Sequence, residues 1–595
     1  MEVVNAASPQ GAGAALSDLR SLRIQTINKM LRKLSTAALL ILCSLTLQAN
    51  QHPSQAAIAS AHPAATVAGL ETLAAGGNAF DAAVAVSAAL AVVEPYGSGL
   101  GGGGFFLLRQ AGSTPSYHFL DARERAPLAA TADLYLRNGQ AEPNLSLNGA
   151  LAAAIPGLPA ALVELAKRYG RLPLRDSLTP AIRLARDGVS IDRVYQQRAG
   201  WRLAALRDDP ETARLFLADG EIPEEFSLLR QPELASLLER IARDGRDGFY
   251  AGATATTLVK GVQAAGGIWS LRDLADYRVI ERPALRFKLK DNRELISAPP
   301  PSAGGVALAQ SLGILQQLPW QSADKLQRSH YVVEALRRAY RDRGLLGDPD
   351  FVTNPVAQLL APAYLQQLAS SIDPQRASPS ASLAPAPAWR EGDHTTHFSV
   401  LDSAGNAVAA TLSINLPFGA AFSVPGTGVV LNNEMDDFAA ALHGSNSYGL
   451  SGSAANQIAA GKRPLSSMSP SFIDSPEAFA TFGTPGGSRI PSMVLLAMLS
   501  YLDNQPPSAW VATPRYHHQY LPDVIEHEAN TFSPAEQAQL QQRGHHLKAV
   551  ERPYGNQQVL LWNKRSGNVE GASDPRGIGQ MQRFTPWPDS KKPVD

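Results

Sequence analysis

Between Arg376 and Gly392 the chain reads RASPSASLAPAPAWREG, and its character differs on the two sides of that stretch. Over residues 150–350, PAALVELAKRYG, TPAIRLARDG, ELASLLERIARDG and SHYVVEALRRAYRDRG carry apolar residues at three- and four-residue spacing, the period of helices packed by one face. After Thr395, the runs HFSVLD, NAVAATLSI, TGVVLNN, EAFATFG and QQVLLWN read as strands, broken by Gly-rich turns and one helix, PSMVLLAMLSYL (491–502). No repeat of fixed period is present. The chain is therefore a helix–strand mixture with its boundary at 376–394. The Pro/Ala/Ser segment predicts an exposed, flexible loop that runs straight into Thr395-Thr396-His397 at the mouth of a strand.

At 595 residues the chain has room for a large core and more than one domain. Lys plus Arg equals Asp plus Glu at 53 each, which removes the basic excess that nucleic acid or an anionic membrane would attract. The single cysteine, Cys43, lies in MLRKLSTAALLILCSLTLQAN (30–50). Arg32 and Lys33, an apolar run from Ala37 to Leu47 and a polar QAN give that segment the layout of a secretory signal peptide, too short to span a bilayer. Cleavage after Ala49, from a start at Met30, is the favoured reading over lipidation of Cys43, because bulky Leu42 precedes the cysteine. The mature chain then has no thiol chemistry, and its expected location is periplasmic or secreted.

From Gln51 to Val93 the sequence is Ala-rich with a helical rhythm, interrupted at Gly76-Gly77-Asn78. EPYGSGLGGGGFFLL (94–108) follows, with G-x-G-x-x-G at Gly97, Gly99 and Gly102. A dinucleotide site needs a strand before this motif and a helix after it; here the order is reversed. The glycines instead predict close backbone packing around a buried site. Further on, HFSVLDSAGNAVAATLSIN predicts a hairpin turning about 402–406, with Thr395 and Thr396 across from Ser413 and Ile414. Such hydroxyl pairs also occur as plain sheet stabilisers. A threonine hydroxyl needs a base, and GTPGGSR is not the G-x-S-x-G elbow. Scission between His394 and Thr395 would supply that base. It frees an α-amine of pKa about 7.7–8.0, far below the 10.4 or so of lysine, beside the hydroxyl it serves.

TTHFSVLDSAGNAVAATLSINLPFG, GVVLNNEMDDF, KRPLSSMSPS, GTPGGSRI, PRYHHQYLPD and GASDPR together resemble the small subunit of the γ-glutamyltransferases (γ-glutamyltranspeptidases). GGNAFDAAVAVSAALAVVEPYGSGLGGGGF, DARERAP, AAIPGLPA, PPPSAGG and GDPDF resemble the large subunit in the same order. The resemblance implies an α+β fold, the four-layer αββα sandwich of the N-terminal-nucleophile hydrolases. It also implies a proenzyme that cuts itself into a large subunit (50–394) and a small subunit (395–595), held together without covalent bonds, after a leader at 1–49.

Carried over residue by residue, the resemblance makes Thr395 the nucleophile, with Thr396 its nearest competitor, and Ser413 a supporting hydroxyl where many members have threonine. Gly486 and Gly487 would form an oxyanion hole. Arg123, Ser466 and Ser467 would hold the α-carboxylate of a γ-glutamyl group. Glu434, Asp437 and Asn415 would hold its α-ammonium, with Asp436 a bystander, and Tyr448 would serve as a lid. The GIGQMQRF that follows GASDPR departs from the family's usual glycine-aromatic ending.

Glutathione and related γ-glutamyl compounds are the implied donors, and water or an amino acid the acceptor, with no cofactor. His527-Glu528 lacks a second histidine four residues on, and the other paired histidines lack acidic ligands at useful spacing, so no metal is expected. Two alternatives remain open: an acylase of the cephalosporin or glutaryl type on the same scaffold, and a non-catalytic exported binding protein.

Overall fold

The computed structural model describes Met30 and residues 52–383, 395–439 and 453–585. The signal-peptide segment, the second half of the Pro/Ala/Ser stretch, His394 and Tyr448 lie outside these residues. Thirteen strands form two antiparallel sheets: β1 (Ala56–Ser60), β2 (Gly103–Gln110), β3 (Ser116–Ala122), β4 (Ile280–Arg282), β5 (Leu285–Lys288), β6 (Glu294–Ser297), β7 (Thr395–Leu401), β8 (Ala407–Ser413), β9 (Ser471–Asp474), β10 (Ala478–Phe482), β11 (Gln558–Asn563), β12 (Val569–Ser573) and β13 (Gln580–Phe584). The first sheet has the order β13–β1–β7–β8–β2–β3–β4, and the second β12–β11–β10–β9–β6–β5.

Alternation along β7 explains the layering, because successive side chains of a strand leave on opposite faces. Phe398 and Val400 join Val408, Ala410, Phe106 and Leu108 in a core shared with helix α2 (Ala79–Val93) and its neighbours. Leu401 joins Ala407, Ala409, Phe105 and Leu107 in a second core that takes in Phe472, Phe479 and Phe482 of the other sheet. Helices α3 (Gly304–Leu315), α4 (Lys325–Arg343) and α5 (Ile490–Leu502) close that core from the far side. The order helix, sheet, sheet, helix is the expected αββα sandwich. No helix among the described residues is long and apolar enough to cross a membrane.

Several local expectations hold. Helix α1 (Pro63–Ala74) ends before Gly76, whose φ of +93° suits a residue without a Cβ, and Asn78 caps α2 in a reciprocal pair with Asp81. The hairpin forms about 402–406, but its register is one residue tighter than expected: Thr395 pairs with Ser413, and Thr396 with Leu412. Asp402 sets this register. Its carboxylate accepts the Ala404 and Asn406 N–H groups at 2.9 Å each, so that the loop takes five residues.

Three expectations are corrected. Ala56–Ser60 is a strand, not part of a helix; alanine carries little preference of its own, and pairing with β7 and β13 decides its conformation. TGVVLNN makes only isolated bridges, at Val430 and Leu431, because the Asn432 side chain takes the carbonyls of Gly101 and Ala154 at 2.6 and 2.8 Å. The first half of the Pro/Ala/Ser segment is anchored rather than free. Ser380 is fully buried, its N–H bonds Asp523 at 2.7 Å, and the Ser378 N–H bonds Glu334 at 3.1 Å.

The two sheets come close together at Gly483, just past β10. A Cβ built there would lie 2.0 Å from the His397 ring of β7. Gly483→Ala should therefore lower the apparent Tm measurably, with an overpacking cost of about 1–3 kcal/mol. A thermal melt that matches the wild type would show that the sheets can separate there without loss.

Candidate active site

The antiparallel order of the first sheet gathers four strand ends on one edge. Thr395 begins β7, Ser413 ends β8 opposite it, Gly103 begins β2 opposite Ser413, and Ala122 ends β3 opposite Gly104. The glycine run makes this possible. A Cβ on Gly102 would lie 2.1 Å from the Ser413 carbonyl oxygen, and one on Gly103 would lie 2.3 Å from that of Ala122. Of the three glycines of the rejected dinucleotide motif, Gly102 thus serves close packing, with Gly103 beside it, whereas Cβ atoms at Gly97 and Gly99 would find ordinary clearance of 3.6 and 3.9 Å.

Thr395 Oγ1 is buried and has no hydrogen-bond partner among the described residues, an uncommon state for a hydroxyl. Ser413 Oγ accepts the Asn415 N–H at 2.8 Å, and Asn415 holds a φ of +73°. Thr396 faces the helix layer instead, where its hydroxyl donates to Glu94 at 2.7 Å. Glu94 was not singled out from sequence. An acid closing a largely apolar helix was the available signal, and burial raises its pKa.

His397 shares the Thr395 face of β7 but is committed elsewhere. Its Nδ1 lies 2.8 Å from Thr411 Oγ1, and burial pushes its pKa down to about 3, so the ring is neutral. That geometry disfavours it as an alternative base.

Arg123 follows β3 and is 1% exposed. It is not the surface arginine that its acidic neighbours would suggest. Nη1 donates to Glu434 and Nη2 to Asp437, both carboxylates being buried on the short helical turn Glu434–Asp437. Nε donates to the Pro464 carbonyl at 3.2 Å and Nη2 to that of Leu465 at 3.4 Å. Ser466 and Ser467 come next in that segment. Ser466 Oγ accepts the Met468 N–H at 3.1 Å, and Ser467 Oγ accepts from Arg343. Asn415 ties the nucleophile edge to the acidic turn, its Nδ2 donating to the Asn433 carbonyl at 2.9 Å. Asp436 points elsewhere, accepting the Ser146 hydroxyl at 2.6 Å.

The structure thus gathers Thr395, Ser413 and Asn415 in one cluster, and Arg123, Glu434, Asp437 and the Ser466–Ser467 segment in an adjoining one. Gly486 (φ +137°) and Gly487 (φ +54°) lie just beyond Gly483, in the turn that leads into α5. Tyr448 and His394 fall outside the described residues.

Glu124 was missed, since an acid beside an arginine reads as a surface pair. It is fully buried, neither carboxylate oxygen has a hydrogen-bond partner among the described residues, and Arg123 Nη1 stands 3.8 Å away. Burial raises its pKa to about 7 against the pull of Arg123. Burial and the neighbouring Glu124 raise Glu434 as well. One guanidinium does not keep three close carboxyls ionised together.

Packed antiparallel sheets between helix layers, with a threonine heading a central strand, define the N-terminal-nucleophile hydrolase class. The fold matches a cephalosporin acylase from Bacillus halodurans with a TM-score of 0.78 at 26% identity, over 89% of this chain and 96% of that one. It matches Helicobacter pylori γ-glutamyltranspeptidase with a TM-score of 0.53 at 35% identity, over 55% of this chain and 94% of that one.

The family model of gamma-glutamyltranspeptidase matches residues 65–584. A glutathione hydrolase proenzyme of Pseudomonas aeruginosa is 41% identical over 86% of this chain and 91% of its own length. Another, from Pseudomonas sp. strain A14, is 37% identical over 93% and 98%. The chain belongs to the γ-glutamyltranspeptidase family, a family of enzymes.

Glu124 generates a pH prediction. Its folded pKa lies above the unfolded value of 4.5, so its contribution to stability is complete below pH 4.5 and is lost as pH rises toward about 7. Glu124→Gln, which cannot ionise, should gain on the wild type in urea midpoint across that window. A constant difference over the same range would mean that Glu124 folds as a carboxylate.

Proposed function

We propose that the chain is an exported precursor cut between His394 and Thr395 into subunits 50–394 and 395–595, which remain together as a heterodimer. In the cut, Thr395 Oγ1 attacks the His394 carbonyl carbon and its amide nitrogen leaves as the amine. That shift frees the Thr395 α-amine, and water then hydrolyses the resulting ester, releasing the His394 carboxylate and restoring the Thr395 hydroxyl. In turnover the same oxygen attacks the γ-carbonyl of glutathione or a related compound while the α-amine takes its proton. That proton passes to the leaving amine. The γ-glutamyl ester is then cleared by water or by an amino-acid acceptor. Backbone N–H groups of Gly486 and Gly487 are assigned to the oxyanion, with Ser413 supporting the nucleophile.

One observation carries the substrate assignment: a buried guanidinium and two buried carboxylates meet beside the Thr395 edge. An α-amino acid head presents the complementary pair of charges. Its carboxylate would take Arg123 with the hydroxyls of Ser466 and Ser467. Its ammonium would take Glu434 and Asp437, with Asn415 beside them. The names of the relatives, glutathione hydrolase proenzymes, support the same donor. An acylase reading has the close fold match in its favour. A glutaryl side chain lacks the ammonium that Glu434 and Asp437 would serve, and the relatives' names favour glutathione, so the γ-glutamyl reading is preferred.

N-terminal sequencing of the smaller fragment should give Thr-Thr-His-Phe, and Thr395→Ala should remain one inactive chain. The wild type should hydrolyse γ-glutamyl-anilide far faster than glutaryl-anilide, and Asp437→Ala should narrow that gap. A fragment that starts at Thr396, or equal rates on the two anilides, would overturn the proposal.

A further inference from the structure

Arg343 closes the last turn of α4 and is 3% exposed. Its guanidinium reaches the segment that Arg123 also grips, with Nη2 at 3.0 Å and Nε at 3.3 Å from Ser467 Oγ. A guanidinium has no acceptor, so the hydroxyl oxygen must accept both contacts. Its lone pairs are then engaged, and the Ser467 hydrogen is left to be donated elsewhere. The serine is pinned from the main chain as well: its carbonyl accepts the Ser469 hydroxyl at 2.7 Å, and a Cβ on Gly304 would lie 2.5 Å from the same oxygen.

Ser466, its neighbour, is prepared differently, since its oxygen accepts a neutral backbone N–H from Met468. The two adjacent hydroxyls are therefore unequal donors. A hydroxyl whose oxygen faces a fixed positive charge has a more polarised O–H bond.

We infer that Arg343 is a positioning residue for the carboxylate end of the substrate, acting through Ser467, whose proton it aims and strengthens. The inference rests on the assignment of Ser467 to the α-carboxylate made above. It gives the pocket two guanidiniums with separate tasks. Arg123 contacts the substrate directly. Arg343 prepares the hydroxyl that does so.

The test compares γ-glutamyl-anilide with 4-aminobutanoyl-anilide, which keeps the ammonium and lacks the α-carboxylate. Arg343→Gln should raise KM for the γ-glutamyl compound about tenfold, the scale of one charge-assisted hydrogen bond, while kcat changes less than about twofold. On 4-aminobutanoyl-anilide its kcat/KM should match the wild type. Arg343→Lys, which keeps the charge without the planar fork, should recover part of the loss and serves if the Gln variant does not fold. Ser467→Ala should show the same selective loss, and adding Arg343→Lys to it should change kcat/KM less than about twofold.

Equal losses on both anilides, or full additivity of the double variant, would overturn the inference and make Arg343 a structural residue. Arg123→Lys separates that failure from failure of the γ-glutamyl reading. If Arg123→Lys spares the γ-glutamyl compound as well, both the reading and the inference fall. If only Arg123→Lys discriminates between the anilides, the inference falls alone.

Discussion

A guanidinium sealed between two carboxylates from a distant part of the chain is costly to build. Arg123 lies 311 residues from Glu434 and 314 from Asp437, and all three are buried. Desolvating such charges cancels much of their attraction, so the cluster adds little net stability over an apolar core of the same shape. Removing one partner is a different matter, at about 3–5 kcal/mol, because the others are left buried and unpaired. Much of the local structure serves to keep the cluster together. The end of β3 delivers Arg123, and Asn432 fixes the turn before Glu434 through Gly101, Ala154 and the Glu434 N–H. The Pro464 and Leu465 carbonyls take two more of the guanidinium hydrogens. A zwitterionic head that exchanges partners with such a cluster keeps every charge paired, which suits side chains as buried as these.

The fold alone does not choose the substrate. A cephalosporin acylase shares most of the architecture at 26% identity, and sites of different specificity sit on one scaffold. On the reading proposed above, the distinction lies in a few charges at one edge of the first sheet. Glu124 adds to them a buried carboxyl whose pKa burial raises to about 7. The second sheet contributes from the opposite side, where the loss of a side chain at Gly483 lets β10 close against His397 and carries the Gly486–Gly487 turn with it.

Much of this was legible in the sequence where local chemistry decides the outcome. Asp402 and Gly405 fold the hairpin within a few residues, so the Thr395–Ser413 pair could be anticipated to within one residue. Asn78 and Asp81 cap a helix by contacts three residues apart. What escaped was set at long range. Ala56–Ser60 is a strand only because β7 and β13 flank it, and Ser380 is buried only because Asp523 lies across from it. Arg123, Glu124 and Arg343 read as surface charges in DARERAP and RDRG, since nothing adjacent to them in sequence reports their burial. The motif resemblance supplied the role of Arg123. It supplied none for Glu124 or Arg343.

On the proposed reading, the Arg123 cluster opens to take an amino-acid head. A structure of the purified protein with bound L-glutamate is the decisive measurement. The α-carboxylate should lie on Arg123 and the Ser466 and Ser467 hydroxyls, with the ammonium on Glu434 and Asp437 and at least one of those carboxylates released from the guanidinium. Glutamate bound elsewhere, with Arg123 still paired to both carboxylates, would contradict that reading.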